Sequence, residues 1–498
     1  MNPPSPEFPT RMKELRQLIQ AEHFSRAVNL AMELSREAPD QPKVWGLLAR
    51  AHERGGNYGL SLMALERFVQ LQPDQIDAQA SLVRGNLIMG RSQQVIDEQK
   101  RLEELLLKHP PSDPEKYRRR STIDLAESYL RLGRTDEARD QLDSLASREA
   151  RGPRIMLVHA MSDMADRNHE LAAPKLKVLI ENRNFPKGIR IQAQFQLAKI
   201  LDRDGQYDEA FRLIAEVKSD PDIDFAPFDR DAFRTMTDRL IAAFSRERMQ
   251  AMQTSGLGSQ RPVFVVGMPR SGTTLTEQII SAHSQCSGIG ESREPIVFTQ
   301  LLADQMGGDF PECAAGAPSE LLQVYGRAYL EMIDHYVPGV ERVTNKALGL
   351  ERILGLLPMI LPGSRVVFVT RNPLDNVIST YMHSLNHRHY PWARTLEDIA
   401  MVRMEFDRLL AHWREHLDLP MFDFEYDRVT NDPEPVIRGL IEFLGLPFEE
   451  ECLRFHEQKR LVMTPSFDQV DKPINREAVD RWKNYESQLE KVAGMFDT

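Results

Sequence analysis

Cysteine is scarce: Cys286, Cys313 and Cys452 are the only three in 498 residues, an odd number with no Cys-x-x-Cys spacing. That count is too low for a disulfide framework or a cysteine-built metal site, and it fits a reducing compartment. No apolar run approaches the ~20 residues that a spanning helix requires. The opening Met1-Asn-Pro-Pro-Ser-Pro has no positive segment followed by an apolar core, so no secretory signal is read there and a cytoplasmic location is expected. Positive charge is also in deficit. Lys and Arg number 63 against 74 Asp and Glu, a formal net charge of −11, and this disfavours a general nucleic-acid binder, because neutralising phosphates takes an excess of cations. Any anionic ligand has to meet a local basic pocket. The rest of the composition, 41% hydrophobic and 28% charged, is that of a globular protein, and its length holds two to four domains at ~100–200 residues each.

The first ~220 residues carry an internal period. Phe24, Ala27, Leu34 and Pro39 recur 34 residues later as Tyr58, Ser61, Phe68 and Pro73. Further copies run Leu125-Ala126-x-x-Tyr129, Gly133, Ala138, Leu142, Leu145 and Leu197-Ala198-x-x-Leu201, Gly205, Ala210, Ile214, Val217. Small residues at Ala126, Ala138, Ala198 and Ala210 let paired helices approach, and a glycine between them turns the chain. The period is the tetratricopeptide length, with five to six copies expected once the loosely matching segments 76–110 and 155–185 are included. Such an array is a stacked helical scaffold that presents a surface to a protein partner. Segments near 218–228 and 254–262 break the helical pattern. The domains therefore read as 1–220, the helical array; 221–260, a connecting helix and linker; and 261–498. Separate folding of the two halves is expected, with a chain starting near residue 225 staying soluble. In the last part Val263–Gly267, Arg365–Arg371 and Met421–Tyr426 read as buried strands alternating with helices, which implies a parallel sheet in an α/β fold.

Val263-Phe-Val-Val-Gly267-Met-Pro-Arg270-Ser271-Gly272-Thr273-Thr274 passes from a strand through a tight loop into a helix. Backbone N–H groups of such a loop and of the helix start converge on an anion. Gly267 and Gly272 have the spacing of the nucleotide-triphosphate loop, but the lysine position is Thr273 and the charge has moved to Arg270. A nucleotide kinase or NTPase of this P-loop-like class is thereby disfavoured, and a non-enzymatic scaffold that only binds adenosine phosphates is the other alternative. A second strand ends in Arg371, and Ser379 follows eight residues later; Arg371 leaves the carboxyl end of its strand, where open α/β sheets bind ligands.

The string Pro269-Arg270-Ser271-Gly272-Thr273-Thr274-Leu275 resembles the 5′-phosphosulfate loop of sulfotransferases that use 3′-phosphoadenosine 5′-phosphosulfate (PAPS), and the Arg371/Ser379 pair resembles that family's 3′-phosphate site. Gly290-Glu291, Asn345-Lys346, Phe424-Glu425-Tyr426 and Ser466-Phe-Asp-Gln-Val-Asp-Lys472-Pro-Ile-Asn475 follow in the order of the tyrosylprotein sulfotransferases. The likeness spans roughly residues 260–485, and the repeat array ahead of it resembles a bacterial fusion. The resemblance implies a fold of tetratricopeptide solenoid followed by an α/β sulfotransferase domain. It also implies PAPS as co-substrate with 3′,5′-ADP as product, and a hydroxyl acceptor that includes a protein tyrosine, a glycan or a small alcohol. By that likeness Glu291 is the general base, and Arg270, Lys346 and Ser466 surround the transferring group. Arg270, Ser271, Gly272, Thr273, Thr274, Arg371, Ser379, Tyr426, Ser466, Asn475 and Arg481 hold the nucleotide. No metal is expected, and His283, His383, His387 and His389 form no convincing ligand set. Ile289 and Thr344 replace the two cysteines that the luminal enzymes pair, His383 replaces a basic residue, and Arg481 stands where the family has a lysine before the late tryptophan.

Overall fold

The computed structural model describes every residue except 1–4, 56, 90, 111–112, 146–151, 224, 386–389, 458–472 and 497–498. Ser466, Lys472, His387 and His389 lie outside the described residues. The amphipathic segments of the first 220 residues form paired helices from Phe8–Gln20 and Phe24–Glu37 to Lys187–Arg203 and Tyr207–Ser219. The loosely matching segments are pairs as well, Ile76–Ile88 with Ser92–Lys108 and Pro153–Ala165 with His169–Glu181. Ala27, Ala126, Ala138, Ala172, Ala193 and Ala210 are fully buried, so the small residues of the repeat sit where neighbouring helices touch.

Runs rich in valine and phenylalanine make the sheet of the second part. Its strands are β1 (Pro262–Gly267), β2 (Cys286–Gly288), β3 (Arg342–Asn345), β4 (Arg365–Thr370) and β5 (Met421–Glu425). They are all parallel, in the order β2-β3-β1-β4-β5. The three strands read from apolar runs are β1, β4 and β5, and β2 and β3 complete the edge beyond β1. Val263 through Val266 and Val366 through Val369 are wholly buried, as expected of parallel strands covered on both faces. The carboxyl ends of β1 to β5 bring the loop after Gly267, the Gly290-Glu291 turn, Lys346, Arg371 and Tyr426 to one edge of the sheet.

One hydrophobic core runs from Leu157 through the last repeat helices into the sheet and on to Val492. Phe211 stacks on Tyr381 at 5.0 Å between ring centroids, and Tyr207 meets Tyr485 edge-on at 5.5 Å. Lys218 is buried with its ammonium donating to the Ala393 carbonyl, and burial lowers its pKa to about 8. The sequence break near 218–228 is therefore no gap in the core. A chain starting near residue 225 loses the partners of Tyr381 and Tyr485, each large side chain so uncovered costing about 1.5–3 kcal/mol. Such a truncation is expected to aggregate on size-exclusion chromatography, whereas one starting near residue 150 retains a cooperative melt. A soluble monomer from residue 225 would mean that these contacts are dispensable.

Candidate active site

The loop after β1 is built so closely that its glycines are required. A Cβ on Gly267 would lie 2.5 Å from the Ser271 hydroxyl and 2.9 Å from the Val369 carbonyl. Gly272 has φ +111°, and a Cβ there would meet the Tyr426 ring at 2.7 Å. Arg270 itself holds a left-handed φ of +66°, a conformation costly to a non-glycine residue and enriched at functional sites. Asn376 and Thr380 fix the loop by donating to the Pro269 carbonyl at 2.7 and 3.1 Å. The helix Thr273–Ser281 follows directly, with Gly272 at its N-cap.

Arg270 and the Arg371/Ser379 pair come together. The Arg270 Nε donates to Ser379 Oγ at 3.3 Å, and Arg371 Nη1 donates to the Arg270 carbonyl at 3.1 Å. Arg371 also donates to the Ala478 carbonyl, and its guanidinium lies 5.0 Å from the centre of the Tyr426 ring. Burial raises the Tyr426 phenol above its ordinary pKa, with Arg371 and Arg270 pulling it back. The Ser271 hydroxyl and the Arg371 Nε are buried without a hydrogen-bond partner among the described residues. A buried donor left unmade costs ~1–3 kcal/mol, so two of them beside a helix N-terminus suit an incoming anion.

The segment Pro473–Tyr485 closes over this region by donating the Asp480 and Trp482 amides to Asp375 at 2.9 and 2.8 Å. Its Arg481 pairs with Asp202 of the repeat array at 2.5 Å, and Tyr485 donates to the same carboxylate. Asn475 is exposed and folds into a local turn, accepting from the Glu477 amide at 3.1 Å.

Glu291 and Lys346 form the second cluster. Lys346 is 2% exposed and donates from Nζ to Glu291 Oε1 at 3.2 Å. Lysine is seldom this buried without a charged partner. A second carboxylate supplies more compensation: Glu277, also buried, has Oε2 at 3.9 Å from Nζ and accepts from the Gly290 amide and the Thr344 hydroxyl. Burial pushes the Glu277 carboxyl above its usual range, against the opposing pull of Lys346. Asn345 donates to the Ser292 carbonyl at 2.9 Å and to Tyr329 at 3.1 Å, and so holds the turn carrying Glu291. Glu277 lies one helical turn beyond Thr273, about 6 Å along the helix that leaves the loop, so this helix links the loop to the second cluster.

Two of the four histidines near these loops, His283 and His383, lie among the described residues. His283 is fully buried, with Nε2 against the Pro447 carbonyl at 2.7 Å and Nδ1 accepting from the Gln285 amide at 3.1 Å, so neither nitrogen is free to act as a base. Burial, then Arg270, Lys199 and Lys218, depress His383 well below the ordinary imidazole range, so it gives no permanent cation. The positions paired by cysteines in the luminal enzymes lie side by side, Ile289 donating to the Thr344 carbonyl at 2.9 Å. Among the described residues, no group of three or more His, Cys, Asp or Glu is placed to hold a metal ion, and no helix is long and apolar enough to cross a membrane.

Sequence reasoning missed Glu277. Its only signal was a carboxylate one turn into a helix whose neighbours Ile279 and Ile280 are core residues. It also missed a cavity of about 220 Å³ beside the Glu291 turn, lined by Gly59, Met89 and Gln94 of the repeats and by Glu277, Gly290 and Ser292.

Residues 262–450 match the sulfotransferase family, and residues 13–76 and 123–189 match the tetratricopeptide repeat. The chain is 32% identical over 329 residues to an uncharacterized protein of Aquifex aeolicus, covering 64% of this chain and 43% of that one. It is 25% identical over 240 residues to protein-tyrosine sulfotransferase 1 of Danio rerio, covering 44% and 65%. It is 29% identical over 166 residues to cytosolic sulfotransferase 15 of Arabidopsis thaliana, covering 27% and 46%. The chain thus spans between 43% and 65% of the length of these relatives.

Proposed function

We propose that this chain, a sulfotransferase-family domain set behind tetratricopeptide repeats, transfers a sulfuryl group from PAPS to a hydroxyl acceptor. One observation carries the reading: a glycine loop lacking the triphosphate lysine is joined through Arg270 to the buried Arg371 and the half-buried Ser379, and the helix that leaves the loop carries Glu277, which sits with Lys346 and Glu291. The donor fits the residues present, since Ser271 and Arg371 offer buried donors with no partner among the described residues, at a close-packed glycine loop that runs into a helix N-terminus.

In this reading Arg270, Ser271, Gly272, Thr273 and Thr274 hold the 5′ end, Arg371 and Ser379 hold the 3′-phosphate, and Tyr426 lines the nucleotide site. Ser466, Asn475 and Arg481 complete the family's set, with Arg481 acting from its ion pair with Asp202. When bound, the donor supplies an activated sulfuryl group on a phosphate leaving group. Glu291 takes the acceptor proton and Lys346 donates to the leaving oxygen, while the loop positions the anion. A phenol with pKa ~10 suits a carboxylate base acting as transfer proceeds. A protein tyrosine is the acceptor of first choice, and a glycan or small alcohol the alternative; the repeats dock the substrate or a partner protein. A cytoplasmic location fits the scarcity of cysteine in the sequence.

Calorimetry tests the donor assignment. The protein is expected to bind 3′,5′-ADP more tightly than AMP or ATP, because only that ligand engages both phosphate sites. Arg371→Ala is expected to weaken this binding roughly 10- to 100-fold, the worth of a charge-assisted hydrogen bond of about 1.5–3 kcal/mol. Equal affinity for ATP, together with ATP turnover, would instead support a P-loop kinase or NTPase.

A further inference from the structure

The turn carrying Glu291 runs on into Ser292, Arg293 and Glu294, and Glu294 is 1% exposed. Its carboxylate is not satisfied within its own domain alone. Oε1 accepts from the Leu60 amide at 3.1 Å, across 234 residues of sequence; burial raises the Glu294 carboxyl above its usual range, and the Ser292 hydroxyl and the Leu60 and Gly59 amides pull it back. Gly59 and Leu60 stand in the first turn of the repeat helix Tyr58–Leu71, where free N–H groups need a partner and the helix dipole favours an anion. The preceding Asn57 makes no side-chain cap. Glu294 therefore caps a repeat helix from the other domain.

The contact is closely fitted. A Cβ on Gly59 would lie 2.5 Å from Glu294 Oε1 and 3.4 Å from the Met332 sulfur. Tyr336 donates to the Gly59 carbonyl at 2.6 Å, the Arg91 guanidinium lies 4.8 Å from the centre of the Tyr336 ring, and Arg91 pairs with Glu66 at 3.3 Å. His335 meets Glu66 as well. On its other side Glu294 accepts from the Ser292 hydroxyl, whose residue's carbonyl is held by Asn345, the neighbour of Lys346. A continuous chain of hydrogen bonds thus runs from the repeat helix through Glu294, Ser292 and Asn345 to the strand end that presents Lys346 to Glu291.

We infer that the helix Tyr58–Leu71 is part of the catalytic frame, with Glu294 a positioning residue that fixes the Glu291 turn against the repeat array. This rests on the reading of Glu291 as the base. The array then does more than dock partners: anything that moves its second helical pair moves the carboxylate that takes the proton. A buried carboxyl that loses its N–H partner is penalised whether or not it is charged, so the turn is expected to follow the helix.

The test uses the full-length chain with Gly59→Ala, Glu294→Ala and Glu294→Gln. Two readouts are taken: steady-state transfer, and amide hydrogen exchange over 287–295 with 3′,5′-ADP bound. Gly59→Ala and Glu294→Ala are expected to raise exchange in that segment and to lower kcat by ~10-fold or more, as misplacing a reacting group does. The KM for PAPS and the affinity for 3′,5′-ADP should stay unchanged, and Glu294→Gln, which keeps an acceptor oxygen for Leu60, should recover most of the loss. Faster exchange and lower kcat with that rescue support the inference. A lowered melting temperature with unchanged exchange over 287–295 and unchanged kcat in the folded protein overturns it, reducing Glu294 to domain packing. Exchange is read whether or not transfer occurs, so a wild-type protein without turnover counts against the base assignment alone.

Discussion

Glu291→Gln is expected to lower sulfuryl transfer by ~10²–10⁴-fold, the usual worth of general-base catalysis, while 3′,5′-ADP affinity stays unchanged. The substitution keeps shape, the Glu291 side chain is 45% exposed, and Lys346 keeps Glu277 as a second carboxylate partner, so the fold is expected to tolerate the change. The loss should shrink as acceptor phenols become more acidic, because less of the proton transfer then needs a base. Stopped assays across a series of substituted phenols check this. Near-normal turnover of the variant would leave Glu291 as a residue at the start of the helix Glu294–Met306. His283 could not replace it, since both of its ring nitrogens are engaged.

Lys346→Met is expected to damage both transfer and stability, for separable reasons. Nζ compensates Glu277, which is 3% exposed, and breaking a buried pair by removing one partner costs about 3–5 kcal/mol. Transfer should fall ~10²–10³-fold, as when one preorganised donor to a developing oxyanion is removed. The double variant Lys346→Met with Glu277→Gln removes the stranded charge. It should regain most of the melting temperature and none of the transfer. If the double variant restores activity as well, Lys346 serves the fold and not the leaving oxygen. The contrast with Glu291→Gln is kinetic: the Lys346 loss should shrink with donors whose leaving group is a weaker base.

The repeats were legible because a helix pair cannot bury its apolar stripe alone, so the same small and aromatic residues return with each pair, as Phe24 and Ala27 do at Tyr58 and Ser61. The loop from Gly267 to Thr274 was legible because its chemistry is local, and the Arg371/Ser379 pair because a strand end and the next helix fix their spacing. Contacts between distant segments were not. Glu294 reads as an ordinary acidic residue opening a helix, and nothing near it announces that its partner is the amide of Leu60. Arg481 reads as a ligand by likeness, yet its pairing with Asp202 depends on where the last repeat packs. Lys346 reads as a site residue only through its place in the Asn345-Lys346 motif; its burial against Glu277 is invisible in the sequence. The break near residue 220 reads as a boundary because Pro221 and Pro227 interrupt the helices, while the aromatic contacts that carry the core across it are far apart in sequence.

The central claim is group transfer itself, and incubation of the purified chain with radiolabelled PAPS and a panel of acceptors reads it most directly. Tyrosine peptides, simple phenols, glycans and a cell lysate make up the panel, with Glu291→Gln run in parallel. The account predicts label on a hydroxyl acceptor, 3′,5′-ADP formed in equal amount, and ~10²–10⁴-fold less label with the variant. Tight binding of 3′,5′-ADP with no label transferred to any acceptor, or equal label from wild type and variant, would contradict it.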